Sequence, residues 1–163
     1  MKTKNLFSIL TLMVFTFFAI ASTEEDESAF IKGICPADIY TGLEGIGFTT
    51  DKVYNNEAGH LWTSTSKLGG IDYRVEIYST KATKVISARG TAILDYNKDI
   101  NNSIPFLVYL TSLQYENSNP QLAEQWVKDN FNNDKATTTI GEVKFTILAP
   151  TQFVRVLSLE KAE

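Results

Sequence analysis

Residues 61–80, LWTSTSKLGGIDYRVEIYST, decide how this chain folds. Two runs rich in β-branched and aromatic residues flank Gly69-Gly70, a two-residue loop able to take positive φ at both positions, as the primed hairpin turns require. Folding the chain at that dipeptide sets Leu68 opposite Ile71, Ser66 opposite Tyr73, Ser64 opposite Val75 and Trp62 opposite Ile77. Side chains alternate along a strand, so these eight residues share one face, the core face. Lys67 with Asp72, Thr65 with Arg74 and Thr63 with Glu76 fall on the other face, and Tyr78 joins them beside Leu61.

Downstream, the turn KATK leads to VISARGTAIL, in which Ile86, Ala88, Gly90, Ala92 and Leu94 line one face and Ser87, Arg89 and Thr91 the other. This is a third strand, and Gly90 within it marks a bulge or the close approach of another element. Turn formers over 95–104 precede PFLVYLTSLQYE, whose Phe106, Leu107, Leu110 and Leu113 trace an apolar stripe, so a helix is expected from Pro105 to near Glu116. Asn119 as cap and Pro120 at the first position open a further helix presenting Leu122, Ala123, Trp126, Val127 and Phe131 on one side. The tail alternates again through ATTTI, VKFTIL and FVRVLSLE, with Arg155 set among Phe153, Leu157 and Leu159.

Upstream of the hairpin, Pro36 with Ile39, Leu43 and Ile46 at helical spacing predicts a short helix, weakened and ended by Gly42, Gly45 and Gly47 and followed by a polar connection, TTDKVYNNEAG. The expected architecture is therefore α+β, an antiparallel sheet of about five strands with helices packed on one face, in the order α-β-β-β-α-α-β-β. Residues 35–163 form this one domain. The acidic run beginning Ser22-Thr23-Glu24-Glu25-Asp26-Glu27 opens a flexible leader over 22–34. Before it, Lys2 and Lys4 precede the apolar run LFSILTLMVFTFFAIA, which closes on Ala19-Ile20-Ala21, the pattern of a cleaved signal peptide over 1–21. The chain is thus expected to be exported, to a periplasm or the extracellular space, with no membrane insertion after cleavage. Cys35, the single cysteine, lies too far past the apolar run to carry a lipid anchor.

Charge narrows the function classes. Removing residues 1–21 takes two lysines and no acid, moving the formal balance from −4 to −6. An acidic domain lacks the basic stripe that a phosphate backbone demands, so a nucleic-acid partner is not expected. One Cys and one His cannot furnish a zinc site. Asp95, Asn97 and Asp99 have the spacing of the first half of a calcium loop, but Ile100 stands where that loop needs glycine and Phe106 where it needs glutamate. Neither a metal nor another cofactor is expected. Asn101-Asn102-Ser103 is a glycosylation sequon.

Two sets of residues remain. Cys35, at a predicted helix N-terminus, and His60 are the candidate nucleophile and base of a thiol-dependent hydrolase, although helix capping and a strand start explain both positions without catalysis. Tyr78, Arg74 and Arg89 share the outer sheet face and are the candidate binding residues. The function expected is a non-enzymatic binding or interaction module that engages a protein or other macromolecule through this face or a sheet edge. A structural subunit of a surface assembly and the Cys35–His60 enzyme stand as alternatives.

Overall fold

The computed structural model describes residues 27–163, other than 57–58 and 96–97. The expected signal peptide, the leader up to Asp26, and Asn97 lie outside the described residues. Seven strands form one antiparallel sheet: β1 (Thr49–Asn56), β2 (Gly59–Leu68), β3 (Ile71–Ser79), β4 (Ser87–Leu94), β5 (Lys135–Ile140), β6 (Val143–Thr151) and β7 (Val154–Lys161). Helix α1 (Pro36–Gly45) precedes the sheet, and α2 (Ile104–Thr111) and α3 (Pro120–Asn130) connect β4 to β5. The spatial order is β1-β2-β3-β4-β7-β6-β5, two meanders joined by the β4–β7 pairing.

The α+β class stands, with two corrections. The sheet has seven strands rather than about five, and the element order is α-β-β-β-β-α-α-β-β-β. The segment read as a polar connection is β1, whose polar side chains hide its strand character because it lies at the sheet rim, where pairing to β2 matters more than alternation. The tail makes three strands, each turn closing a hairpin.

The hairpin at Gly69-Gly70 has the pairing read from its sequence, from Leu68–Ile71 through Trp62–Ile77, with both glycines at positive φ. Val75 and Ile77 are fully buried and Trp62 nearly so, but Leu68 is 68% exposed while Ile71 opposite it is buried. Thr63 departs in the other direction, buried on the outer face. Gly90 is a close approach and not a bulge. Its pairing is regular on both sides, and a Cβ there would overlap Leu110 Cδ1 and meet Phe106, so α2 sits directly on β4. Phe106 in turn packs on Tyr73, with ring centroids 4.8 Å apart.

At α3 the Asn119 side chain accepts from Leu122 N–H at 3.1 Å, the expected cap. Ala123 and Val127 are buried, whereas Leu122 is 54% exposed. Helix α2 ends at Thr111, not near Glu116, and the chain beyond it places Tyr115 in the core with its hydroxyl donating to Ile140 C=O at 2.9 Å. Arg155 is buried on the inner face of β7. Its Nε donates to Phe131 C=O at 2.8 Å and its Nη2 to Asn132 Oδ1 at 2.8 Å, and its guanidinium lies 4.8 Å from the Phe131 ring centroid. Residues 27–34, placed in the leader by their acidic start, contribute Phe30, Ile31 and Ile34 to the core. Ile31 N–H bonds Val85 C=O at 2.8 Å, and Glu27 pairs with Lys84 at 3.0 Å.

Candidate functional site

With the helices on one face, the opposite face of the sheet centre is left to side chains of β2, β3, β4 and β7. Register fixes which of them are neighbours. Leu61, Tyr78, Ser87 and Glu160 stand side by side in one row across those four strands. Glu76, Arg89 and Ser158 stand in the next, and Arg74 and Thr91 in the one beyond. Alternation therefore puts Tyr78, Arg74 and Arg89 on a single surface, as their sequence positions imply.

Two adjoining grooves open there, and Tyr78, Ser87 and Glu160 line both. The larger, about 620 Å³, runs between the β4–β7 end and the N-terminal turn, and is also lined by Ala29, Ile86 and Ala162. The smaller, about 210 Å³, reaches Leu61, Glu76 and Arg89. Tyr78 is 39% exposed, a large ring at the wall between them. Gly59 holds it in place. A Cβ at Gly59 would meet Tyr78 Cε2 at 3.1 Å and Ser79 C=O at 2.7 Å, and the residue has φ +139, so glycine alone lets the ring lie over this backbone.

The charges divide. Arg74 Nη2 is held by Glu76 Oε1 at 2.8 Å in a half-exposed pair, so its guanidinium is already engaged within the sheet surface. Arg89 is exposed and lines the smaller groove. At the groove rim Lys161 is paired with Glu142, and this contact holds the Glu142 carboxyl below its usual range. Glu160, which lines both grooves, was missed from sequence. Its position beside Ser87 depends on the β4–β7 pairing, which joins strands far apart in the chain, and no local pattern announces it.

Cys35 and His60 belong to other surroundings. Cys35 is the N-cap of α1, and its N–H donates to Asp38 Oδ2 at 2.8 Å, which holds that carboxyl below its ordinary value. It lines a cleft of about 290 Å³ with Phe30, Ile34, Asp38 and Lys84, and no histidine is part of that lining. His60 lies on β2 with its ring centroid 5.5 Å from that of Trp62, and its Nδ1 is buried without a partner among the described residues. No hydrogen bond joins the two among the described residues, so a Cys–His relay, which needs hydrogen-bond reach, is not assembled in this arrangement. Asp99 caps the short 3₁₀ turn Ile100–Ser103, accepting from Asn101 N–H at 2.9 Å, which accounts for one of the calcium-spaced residues by capping.

Among the described residues no group of three or more His, Cys, Asp and Glu is gathered to hold a metal ion, and no helix is long and apolar enough to cross a membrane. Comparison with known protein families, with curated proteins and with solved structures found no match to this chain.

Proposed function

We propose that this chain is an exported, non-enzymatic binding module that engages a macromolecule through the open face of its sheet, centred on Tyr78. The observation that carries this reading is the pair of contiguous grooves sharing Tyr78, Ser87 and Glu160, on the one sheet face that the helices leave uncovered. Binding surfaces favour aromatic rings, which supply large contact area at little entropic cost, and arginines, whose guanidinium supplies several directional hydrogen bonds. Tyr78 and Arg89 are placed in that manner, whereas Arg74 acts from one row further on and through its pair with Glu76. Export is the reading of the N-terminal pattern, Lys2 and Lys4 before an apolar run that closes on Ala19-Ile20-Ala21.

The test is a screen of immobilised peptides, proteins and glycans with the wild-type chain and with a Tyr78→Ala, Arg89→Ala variant. Captured species should drop out of the variant's profile by at least tenfold in affinity, since losing one anchoring aromatic at an interface costs about 2 kcal/mol or more. A variant with an unchanged profile and an unchanged melting temperature refutes the assignment to this face.

A further inference from the structure

The two rims of the sheet are built differently. β1 is a guarded edge. Its register breaks between Lys52 and Tyr54, Asp51 and Lys52 are exposed, and Lys52 turns inward with its Nζ 5.4 Å over the Trp62 ring. Bulges, edge charges and inward-pointing lysines are the devices that stop a free strand from recruiting another. β5, at the other rim, has neither a register break nor an inward-pointing lysine. KATTTI pairs with β6 without interruption, contains no proline, and carries one charge, Lys135, at its start.

The hydrogen-bonding direction of β5 follows from its ladder. Ala149 N–H bonds Asp134 C=O at 3.1 Å, and Ile140 and Val143 flank the two-residue turn. Residues 134, 136, 138 and 140 therefore address β6, and Lys135, Thr137 and Thr139 send their N–H and C=O groups outward. All three are exposed. This outward set is self-complementary. An antiparallel pairing of two copies centred on Thr137 places Thr137 against Thr137 and Lys135 against Thr139 of the second copy. Every outward residue then lies in a hydrogen-bonded pair, and no like charges meet. Thr137 Oγ1 already pairs with Thr146 Oγ1 at 3.3 Å on β6, so the row of threonine hydroxyls continues across the join.

A flank of α3 supplies apolar surface on the same side. Leu122 and Trp126, four residues apart, share a stripe of that helix; Trp126 packs on Phe145 of β6 with ring centroids 6.2 Å apart, and α3 touches β5. Leu122 is 54% exposed. A two-fold axis perpendicular to the sheet keeps both copies of α3, and their Leu122–Trp126 stripes, on the same face of the joined sheet. We infer that the β5 edge, with the Leu122–Trp126 stripe beside it, is the seam of a homodimer in which two copies pair β5 antiparallel about Thr137 and continue one sheet across both chains.

The experiment is sedimentation equilibrium on the folded wild-type chain, on Thr137→Pro and on Leu122→Glu. Proline at position 137 removes an outward N–H only, so it blocks strand addition without breaking the β5–β6 ladder. The wild type should show twice the chain mass at micromolar concentration, and both variants should sediment as monomers with wild-type circular dichroism. Should Thr137→Pro fail to fold, Leu122→Glu, at an exposed helix position, decides alone. A wild type that is monomeric throughout, or a dimer that persists in a folded Thr137→Pro or in Leu122→Glu, overturns the inference. Because the seam lies at the rim opposite β1 and away from Tyr78, these outcomes are independent of the binding screen.

Discussion

Replacing Arg155 is the sharpest probe of how the second meander is locked to α3. The guanidinium is buried on β7 with Nε to Phe131 C=O at 2.8 Å, Nη1 to Thr151 C=O at 3.0 Å and Val154 C=O at 2.9 Å, and Nη2 to Asn132 Oδ1 at 2.8 Å. Phe131 is the C-cap of α3, so a cation bonded to its carbonyl sits at the negative end of the helix dipole. Burial pushes the Arg155 pKa down, a sign that the site extracts a desolvation penalty which the four acceptors must offset. In Arg155→Ala the buried Phe131 carbonyl loses its donor, at about 1–3 kcal/mol, and the cation–π contact with the Phe131 ring goes, at about 0.5–2 kcal/mol. Relief of the desolvation penalty returns part of this, leaving a net loss of about 3 kcal/mol, or roughly 10 °C in Tm for a chain of this size. Arg155→Lys should lose nearly as much, since one ammonium cannot span acceptors on both sides of a planar fork. Urea unfolding of the three proteins at pH 7 gives the comparison. A lysine variant within about 0.5 kcal/mol of wild type would refute the reasoning, because charge alone would then account for the site.

Further tests address other joints of the structure. Gly90→Ala should destabilise by about 1–3 kcal/mol, because its Cβ displaces Leu110 into a packed core, and a neutral result in the same unfolding assay would show that α2 does not rest on β4 as described. Tyr115→Phe should lose about 1 kcal/mol with the hydroxyl bond to Ile140 C=O. Burial raises the phenols of Tyr73 and Tyr109 and pushes that of Tyr115 up to about 12. With folded values above the ordinary 10, their contribution is intact below pH 10 and is lost as pH rises through the folded values. Ultraviolet titration of the native protein should therefore show delayed tyrosine ionisation, and a full set titrating near pH 10 would contradict the burial. Cys35→Ser should leave capture by the sheet face unchanged, since Cys35 lines a separate cleft; loss of capture with the fold intact would move the site there.

The hairpin was legible because its information is local. Gly69-Gly70 supplies positive φ, alternation supplies the faces, and together they set the observed register from Leu68–Ile71 onward. The helix starts at Pro36 and at the Asn119 cap were legible for the same reason. What escaped depends on partners distant in sequence. β1 is a strand only because β2 offers it a ladder, and its polar residues carry no alternation to reveal it. Leu68 and Leu122 look like core residues by periodicity, yet both are more than half exposed, because burial depends on which distant element lies over a position and not on spacing alone. The site divides in the same way. Tyr78, Arg74 and Arg89 follow from hairpin register and third-strand parity, while Glu160 joins them only through the β4–β7 pairing.

The most direct test of the proposed binding face is to map, by nuclear magnetic resonance, which amides of this chain shift when a species captured in the screen is added. The account predicts that the largest shifts cluster on Leu61, Tyr78, Ser87, Arg89, Ser158 and Glu160, the linings of the two grooves. Shifts gathered instead around Cys35, Asp38 and Lys84, or along the exposed side of α3, would contradict it.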